Sequence, residues 1–419
     1  MTNTWPRPFR WLYAADLATG LGNQVGMIAV PVLAVEVLRA GPGQVGLLGA
    51  LAWVAFLLIG LPAGVWVDRA PRRTVIIVAD LVRALLYASI PVAWWAGWLG
   101  IGQLYAVVLL TGAATVFGDV AAQSLVPQLV GRDRLVAANS LIVSTWGVLQ
   151  VGGRGLGGVL VQLLTAPVSL AVNAVAHLVS AAALTRIPVP PAPADDGSRP
   201  HFGRQLGEGV RHVLGSPLLR PLAVSTSGIN LSVNLITVLL PVVLLGDLGL
   251  SPGMLGLFLA VGGVGSVLGA VTARRLADRI GPGRSLWLPG LLVAPAGALV
   301  AMVDTGAAFW LATLGWLAIA WRTGIGNVIG VSLRQTSTPD ALLGRMNATF
   351  RFLLTGALAV GAALAGLLGT YVSVRATLWI GAIGNALTWL PILLSPLRNW
   401  RQPATTPPQP VAQPGGARR

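Results

Sequence analysis

The chain has 419 residues, is 55% hydrophobic with mean hydropathy +0.76, and has only 10% charged residues. A water-soluble domain of that length does not carry so much apolar surface, so part of its solvent is lipid. The formal net charge of +15 would suit a nucleic-acid binder, but every basic residue is an arginine, and the arginines punctuate apolar runs instead of forming a patch; no nucleic-acid partner is expected.

A helix needs about 20 apolar residues to cross about 30 Å of hydrocarbon. Twelve runs qualify, at 11–38, 44–67, 74–97, 101–122, 135–163, 167–186, 218–246, 252–276, 284–303, 307–331, 341–370 and 374–395. They are numbered here as spans 1 to 12. The opening MTNTWPRPFRW has no small-residue cleavage exit, so span 1 is expected to stay in the protein. With both termini in the cytoplasm, Arg39 and Arg375 are the only arginines left on the outer side, and Arg83, Arg154 and Arg322 lie within spans. That sidedness follows the excess of cationic residues in cytoplasmic loops. The expected protein is all-α, multi-pass and held in the plasma-membrane bilayer. Trp94, Trp95 and Trp98 close span 3 as an interfacial aromatic belt.

The halves repeat. At an offset of 210, Gln24 falls on Asn234, Pro31 on Pro241, Gly46 on Gly256 and Asp68-Arg69 on Asp278-Arg279. Further on, an offset of 208 places Asn139 on Asn347, Gly153 on Gly361 and Gly158 on Gly366. Six spans per copy give both copies the same orientation, the arrangement of parallel repeats about an axis along the membrane normal. The expected organisation is a six-helix bundle over 1–187, a linker over 188–216, a second bundle over 217–400 and a disordered tail over 401–419. PVPPAPADDGSRP, at 188–200, is too proline-rich to pack as core, and FGRQLGEGVRHVLG, at 202–215, reads as a basic surface helix.

The joint between spans 2 and 3, GVWVDRAPRR at 64–73, concentrates charge in a chain poor in it. Gly60 and Gly64 sit one turn apart and permit close helix approach. The joint resembles the signature loop of the major facilitator superfamily, Gly-x-x-x-Asp-Arg-x-Gly-Arg-Arg. Gly64, Asp68, Arg69, Arg72 and Arg73 match, and Pro71 replaces the usual glycine. ADLVRA (79–84), LVPQLVGRDRLVAANSL (125–141) and RQTSTPDALLGRMNAT (334–349) resemble the drug-efflux branch related to macrolide and enterobactin exporters. The resemblance implies two six-helix bundles that rock around a midplane cavity. It also implies a cytoplasmic interdomain latch made by the joint, with Asp278 and Arg279 as its repeat copy.

Charge inside a span is costly and marks function or a pair. Asp16 lies early in span 1, with Asn23 and Gln24 about two turns deeper and no basic residue one turn away. It needs a partner from another helix or takes a proton, which makes it the first proton-coupling candidate. Asp119, near the inner end of span 4, is the second. Asp80 and Arg83 at i and i+3 on span 3 form a structural ion pair. Arg154 lies deep in span 5 within GVLQVGGRGLGG (147–158), which resembles the family's antiporter motif with Gly153, Gly157 and Gly158 matched. Arg154 stands at that motif's proline position. It either locks the halves through a carboxylate or meets an anionic substrate or a proton-carrying acid. Trp146, Asn230, Asn234, Trp321 and Arg322 complete the candidate cavity lining, Arg322 as the one buried charge expected in the second half's spans. His177 in span 6 reads as a satisfied polar residue.

These features favour a secondary active exporter of amphiphilic small molecules. Proton antiport is implied by the resemblance, and a monomer is expected. A dedicated exporter of a siderophore or other natural product is the alternative. A transporter-like sensor or lipid scramblase would lack substrate accumulation. No cysteine, three scattered histidines and no His-Glu-x-x-His argue against an enzyme or a metal site, and the absence of a phosphate-cradling loop argues against ATP drive. No cofactor is expected.

Overall fold

The structure is a computed structural model that describes residues 5–60, 62–67, 70–188 and 202–400. Among these residues all regular structure is helical. Ten helices are long and apolar enough to cross a bilayer by themselves: Arg7–Val37, Pro42–Ile59, Arg72–Trp95, Ile101–Val130, Leu135–Leu164, Ala166–Leu184, Leu219–Asp247, Pro252–Ile280, Leu342–Tyr371 and Val374–Leu393. They are spans 1 to 8, 11 and 12. Span 9 comes in two pieces, Pro282–Val293 and Ala296–Ala301, because Pro295 interrupts the helix. Span 10, Ala307–Thr336, is long enough, but its tryptophans, glycines and Arg322 dilute its hydropathy. With these two the chain has the twelve spans of the expected fold. Spans 4 and 8 run further than their apolar cores, to Val130 and Ile280, where Gly131 and Gly281 stop them at positive φ.

Three spans contain a turn of π-helix that no periodicity announced, at Leu33–Val37, Leu149–Gly153 and Val242–Asp247. The first and third are repeat copies, and each follows an intrahelical proline, Pro31 or Pro241, which has no N–H to give the ladder.

Spans 1–6 pack on one another, as do spans 7–12. Between the two sets the main seams are span 2 against span 11 and span 5 against span 8. Glycine pairs set both seams. A Cβ on Gly366 would lie 2.9 Å from the Gly46 Cα, and a Cβ on Gly256 would lie 2.7 Å from the Gly158 Cα. Backbone meets backbone there, so each pair tolerates no side chain. The pairs are copies of one contact under the repeat. They lie at the face opposite the linker, where the π turns of spans 1 and 7 also meet. The half of span 5 nearest the linker, Leu135–Val148, forms no packed interface with the second bundle and has only Ala138 buried. Spans 5 and 8 thus meet toward the far face and separate toward the linker face, while spans 2 and 11 remain neighbours as far as Phe56 and Arg351.

Leu61, Asp68, Arg69, the proline-rich segment 189–201 and the tail 401–419 lie outside the described residues. The linker helix is present as Phe202–Gly215 and packs on span 11. Gly209 admits the Arg345 carbonyl and Thr349, and the Arg345 guanidinium donates to the Glu208 carboxylate at 2.6 Å. Both side chains are about one-third exposed, so the pair contributes little. Glu208→Gln is therefore expected to lower the melting temperature by no more than about 3 °C. A far larger fall in a thermal-unfolding scan would mean that the linker helix holds span 11 in place.

Candidate functional site

Two groups of charges stand out within the first bundle. The first is a closed node. The Asp80 carboxylate accepts from the Arg83 guanidinium at 2.7 Å, from His177 Nδ1 at 3.0 Å and from the Ser180 hydroxyl at 2.6 Å. Asp80 and His177 are fully buried, and Tyr87 stacks on the imidazole with ring centroids 5.8 Å apart. The sequence had supplied only the i, i+3 pair. Span 6 adds His177 and Ser180, which makes the node a bond between spans 3 and 6. A carboxylate accepting three donors has few lone pairs left for anything else.

The second group is open. Asp16 on span 1 faces Trp146 of span 5, and its Oδ2 is buried without a partner. Asp119 on span 4 lies close enough to Asp16 for the two carboxyls to feel each other, and it sits in the field of Arg83 and Arg351. Arg351 belongs to span 11, so this group draws on both bundles. Its guanidinium lies 5.6 Å from the Phe56 ring centre of span 2. The two residues line a cleft of about 250 Å³ with Leu57, Gly60, Asn347 and Phe352. Sequence reasoning passed over Arg351. It lies inside the expected span 341–370 and inside the helix Asp340–Tyr371, but nothing in its own neighbourhood marks it as part of a site.

The remaining candidates separate by what they touch. Gln24 packs into the space left by Gly153, and its repeat mate Asn234 into that left by Gly361, where a Cβ would lie 3.2 Å from the Asn234 Cβ. The Asn234 amide donates to the Leu358 carbonyl at 2.5 Å, so it bridges spans 7 and 11 and does not line open space. Trp321 donates its indole N–H to the Thr272 hydroxyl at 3.0 Å. Arg322 is buried and donates twice to Asn385, at 3.2 Å, and once to Thr388, at 2.5 Å. Its donors are spent inside the second bundle, which corrects its reading as a residue of the cavity. Asn23 and Asn230 are half-buried.

At the joint, Asp68 and Arg69 lie outside the described residues, as do the surroundings of Gly64. Arg72 donates to the Ser124 carbonyl at 3.1 Å. Arg73 donates to the Leu184 and Thr185 carbonyls, both at 2.9 Å, and so caps the end of span 6. These two arginines serve their own bundle in this state. On the repeat copy, Asp278 meets Arg274 at 3.9 Å on an exposed helix face, and Arg279 is exposed as well.

Two repeat-related bundles of six spans, joined along spans 2 and 11 and along spans 5 and 8, have the architecture of a transporter of the major facilitator type. The transmembrane secretion effector family matches residues 6–416, and the chain belongs to it. It is 28% identical over 409 residues to the enterobactin exporter EntS of Citrobacter koseri, spanning 95% of this chain and 94% of the relative. To the enterobactin exporter EntS of Salmonella typhi it is 29% identical, spanning 96% and 94%. Solved structures share the fold. A bacterial homologue of the iron transporter ferroportin in its inward-facing state superposes with a TM-score of 0.71 at 20% identity, over 93% of this chain and 98% of the other. The nucleoside transporter NupG superposes with a TM-score of 0.73 at 12% identity, over 94% and 99%.

Proposed function

We propose that the protein exports an oxygen-rich, iron-chelating small molecule of the siderophore class, driven by proton antiport. The observation that carries this reading is the end-to-end similarity to relatives named enterobactin exporters. The arginine sidedness supports placing the linker face and both termini in the cytoplasm, which makes the parting of spans 5 and 8 an opening toward the inside. Each bundle supplies one half of the cavity, so a single copy is sufficient. Asp16 and Asp119 are the proposed proton carriers. Asp16, with one carboxyl oxygen buried and unpartnered, is placed to take up and release a proton, and Asp119 stands near it on the neighbouring span. Rocking alters their distance from Arg351 and hence the proton's residence. The joint's Asp68, Arg69, Arg72 and Arg73 are proposed to engage the second bundle only when the cytoplasmic side closes.

Everted vesicles from a siderophore-exporter-deficient bacterium provide the test. Vesicles containing this protein are expected to accumulate a catecholate siderophore when their lumen is acidified, and to stop when the pH gradient is collapsed. Asp16→Asn is expected to cut that accumulation at least about tenfold, because an amide keeps the shape but cannot cycle a proton. Accumulation of a panel of amphiphilic drugs with no siderophore uptake would replace the substrate reading by general efflux. Undiminished uptake by the Asp16→Asn variant would move coupling to another carboxyl.

A further inference from the structure

Most buried or half-buried arginines here spend their donors. Arg83 donates to Asp80 and to the Ala79 carbonyl, Arg322 to Asn385 and Thr388, Arg73 to two carbonyls, and Arg375 to the Ala301 and Val303 carbonyls. Arg154 does not. Its one polar contact is from Nε to the Gln24 Oε1, at 3.4 Å, and among the described residues no carboxylate pairs with it. Its terminal nitrogens are not sealed among the buried unpartnered atoms either, so they border open space. A cation that deep in a span is too costly to face lipid.

The backbone around Arg154 aims it. The π turn Leu149–Gly153 ends at its own position and shifts the helix phase by a residue relative to a continuous α-helix. Gly153 and Gly157 let Gln24 and Val25 of span 1 press against this stretch, while the Arg154 carbonyl abuts Gly256 of span 8. Arg154 is therefore held where spans 1, 5 and 8 converge, with Gln24 at only 3% exposure bracing it. The position belongs to both bundles, so its surroundings change when they rock.

The geometry points to Arg154, braced by Gln24, as the anchor for a paired oxyanion of the substrate. A planar guanidinium with its two terminal nitrogens free matches two adjacent oxygens, as a catecholate, hydroxamate or carboxylate presents them. Those are the donor groups of an iron chelator. The anchor rests on the proposed substrate class but is tested separately from it.

The test is isothermal titration of the purified full-length protein in nanodiscs with 2,3-dihydroxybenzoate and, as a second oxyanion, citrate. The expected result is that Arg154→Gln weakens dihydroxybenzoate binding at least tenfold with an unchanged melting temperature. Arg154→Lys, which keeps the charge but not the fork, should fall between. Parent-like binding by both variants overturns the anchor and leaves the substrate class untouched. If Arg154→Gln does not fold, Arg154→Lys decides: undiminished affinity overturns the anchor, and a clear loss supports it. If the parent binds citrate but not dihydroxybenzoate, and Arg154→Gln loses the citrate, the anchor stands and the chelator reading fails.

Discussion

Replacing Gly366 by leucine is expected to abolish transport while both bundles stay folded. A Cβ at that position already runs into the Gly46 Cα at 2.9 Å and the Gly43 carbonyl at 3.1 Å. These are backbone atoms, so no rotamer change relieves the clash, and the seam between spans 2 and 11 must part. Overpacking costs about 1–3 kcal/mol in a protein interior. A penalty of about 2 kcal/mol confined to the far-face-closed state shifts the two-state equilibrium about thirtyfold. The chain contains no cysteine, so a single Val45→Cys substitution beside Gly46 reports the seam. That cysteine should be protected from a membrane-impermeant maleimide in the parent background and labelled in the Gly366→Leu background. Protection together with normal transport would show that the seam does not need backbone contact.

Asp80→Asn is expected to be the most destabilising single polar substitution in the first bundle. It removes the charge that Arg83 meets at 2.7 Å and leaves the guanidinium beside His177 without its hydrogen-bonded carboxylate. Breaking one partner of a buried pair costs about 3–5 kcal/mol. Expression and melting temperature should both fall sharply. Adding Arg83→Gln should recover part of the loss, because the neutral pair strands no charge. Asp16→Asn makes the instructive contrast. The same chemical change at a carboxyl with an unpartnered oxygen should leave the melting temperature nearly unchanged. Equal losses at the two sites would mean that Asp16 is structural.

The spans, the repeat and the ion pair on span 3 were legible because each is local or periodic. Apolar length marks a helix, offset identity marks a repeat, and i, i+3 marks a neighbour on one helix face. What escaped depends on how helices are rotated against one another. Nothing in the sequence near Asp80 announces His177 or Ser180, nearly a hundred residues away, and nothing near Arg322 announces Asn385 and Thr388. Arg351 escaped for another reason. It lies within the expected span 341–370 but only about three turns from its cytoplasmic end, where an arginine is ordinary on topological grounds. The π turns escaped because two of them have only an intrahelical proline as a cue, which Pro91 and Pro127 show to be insufficient, and the third, Leu149–Gly153, has none.

The two bundles share an outline but not a mechanical character. Span 3 runs as one helix from Arg72 to Trp95, its ladder missing only the Pro91 N–H near the outer end, and is bolted to span 6 by a buried charge node. Its duplicate, span 9, has glycine where Asp80 stands, Gly290, and its ladder is already interrupted at Pro295. Bending an intact helix sacrifices hydrogen bonds; bending at a gap sacrifices none. In a molecule that must swing one half against the other, the first half is therefore the stiff, electrically loaded lever. The second is the compliant counterpart, able to absorb the mismatch at a joint that duplication alone would not have produced.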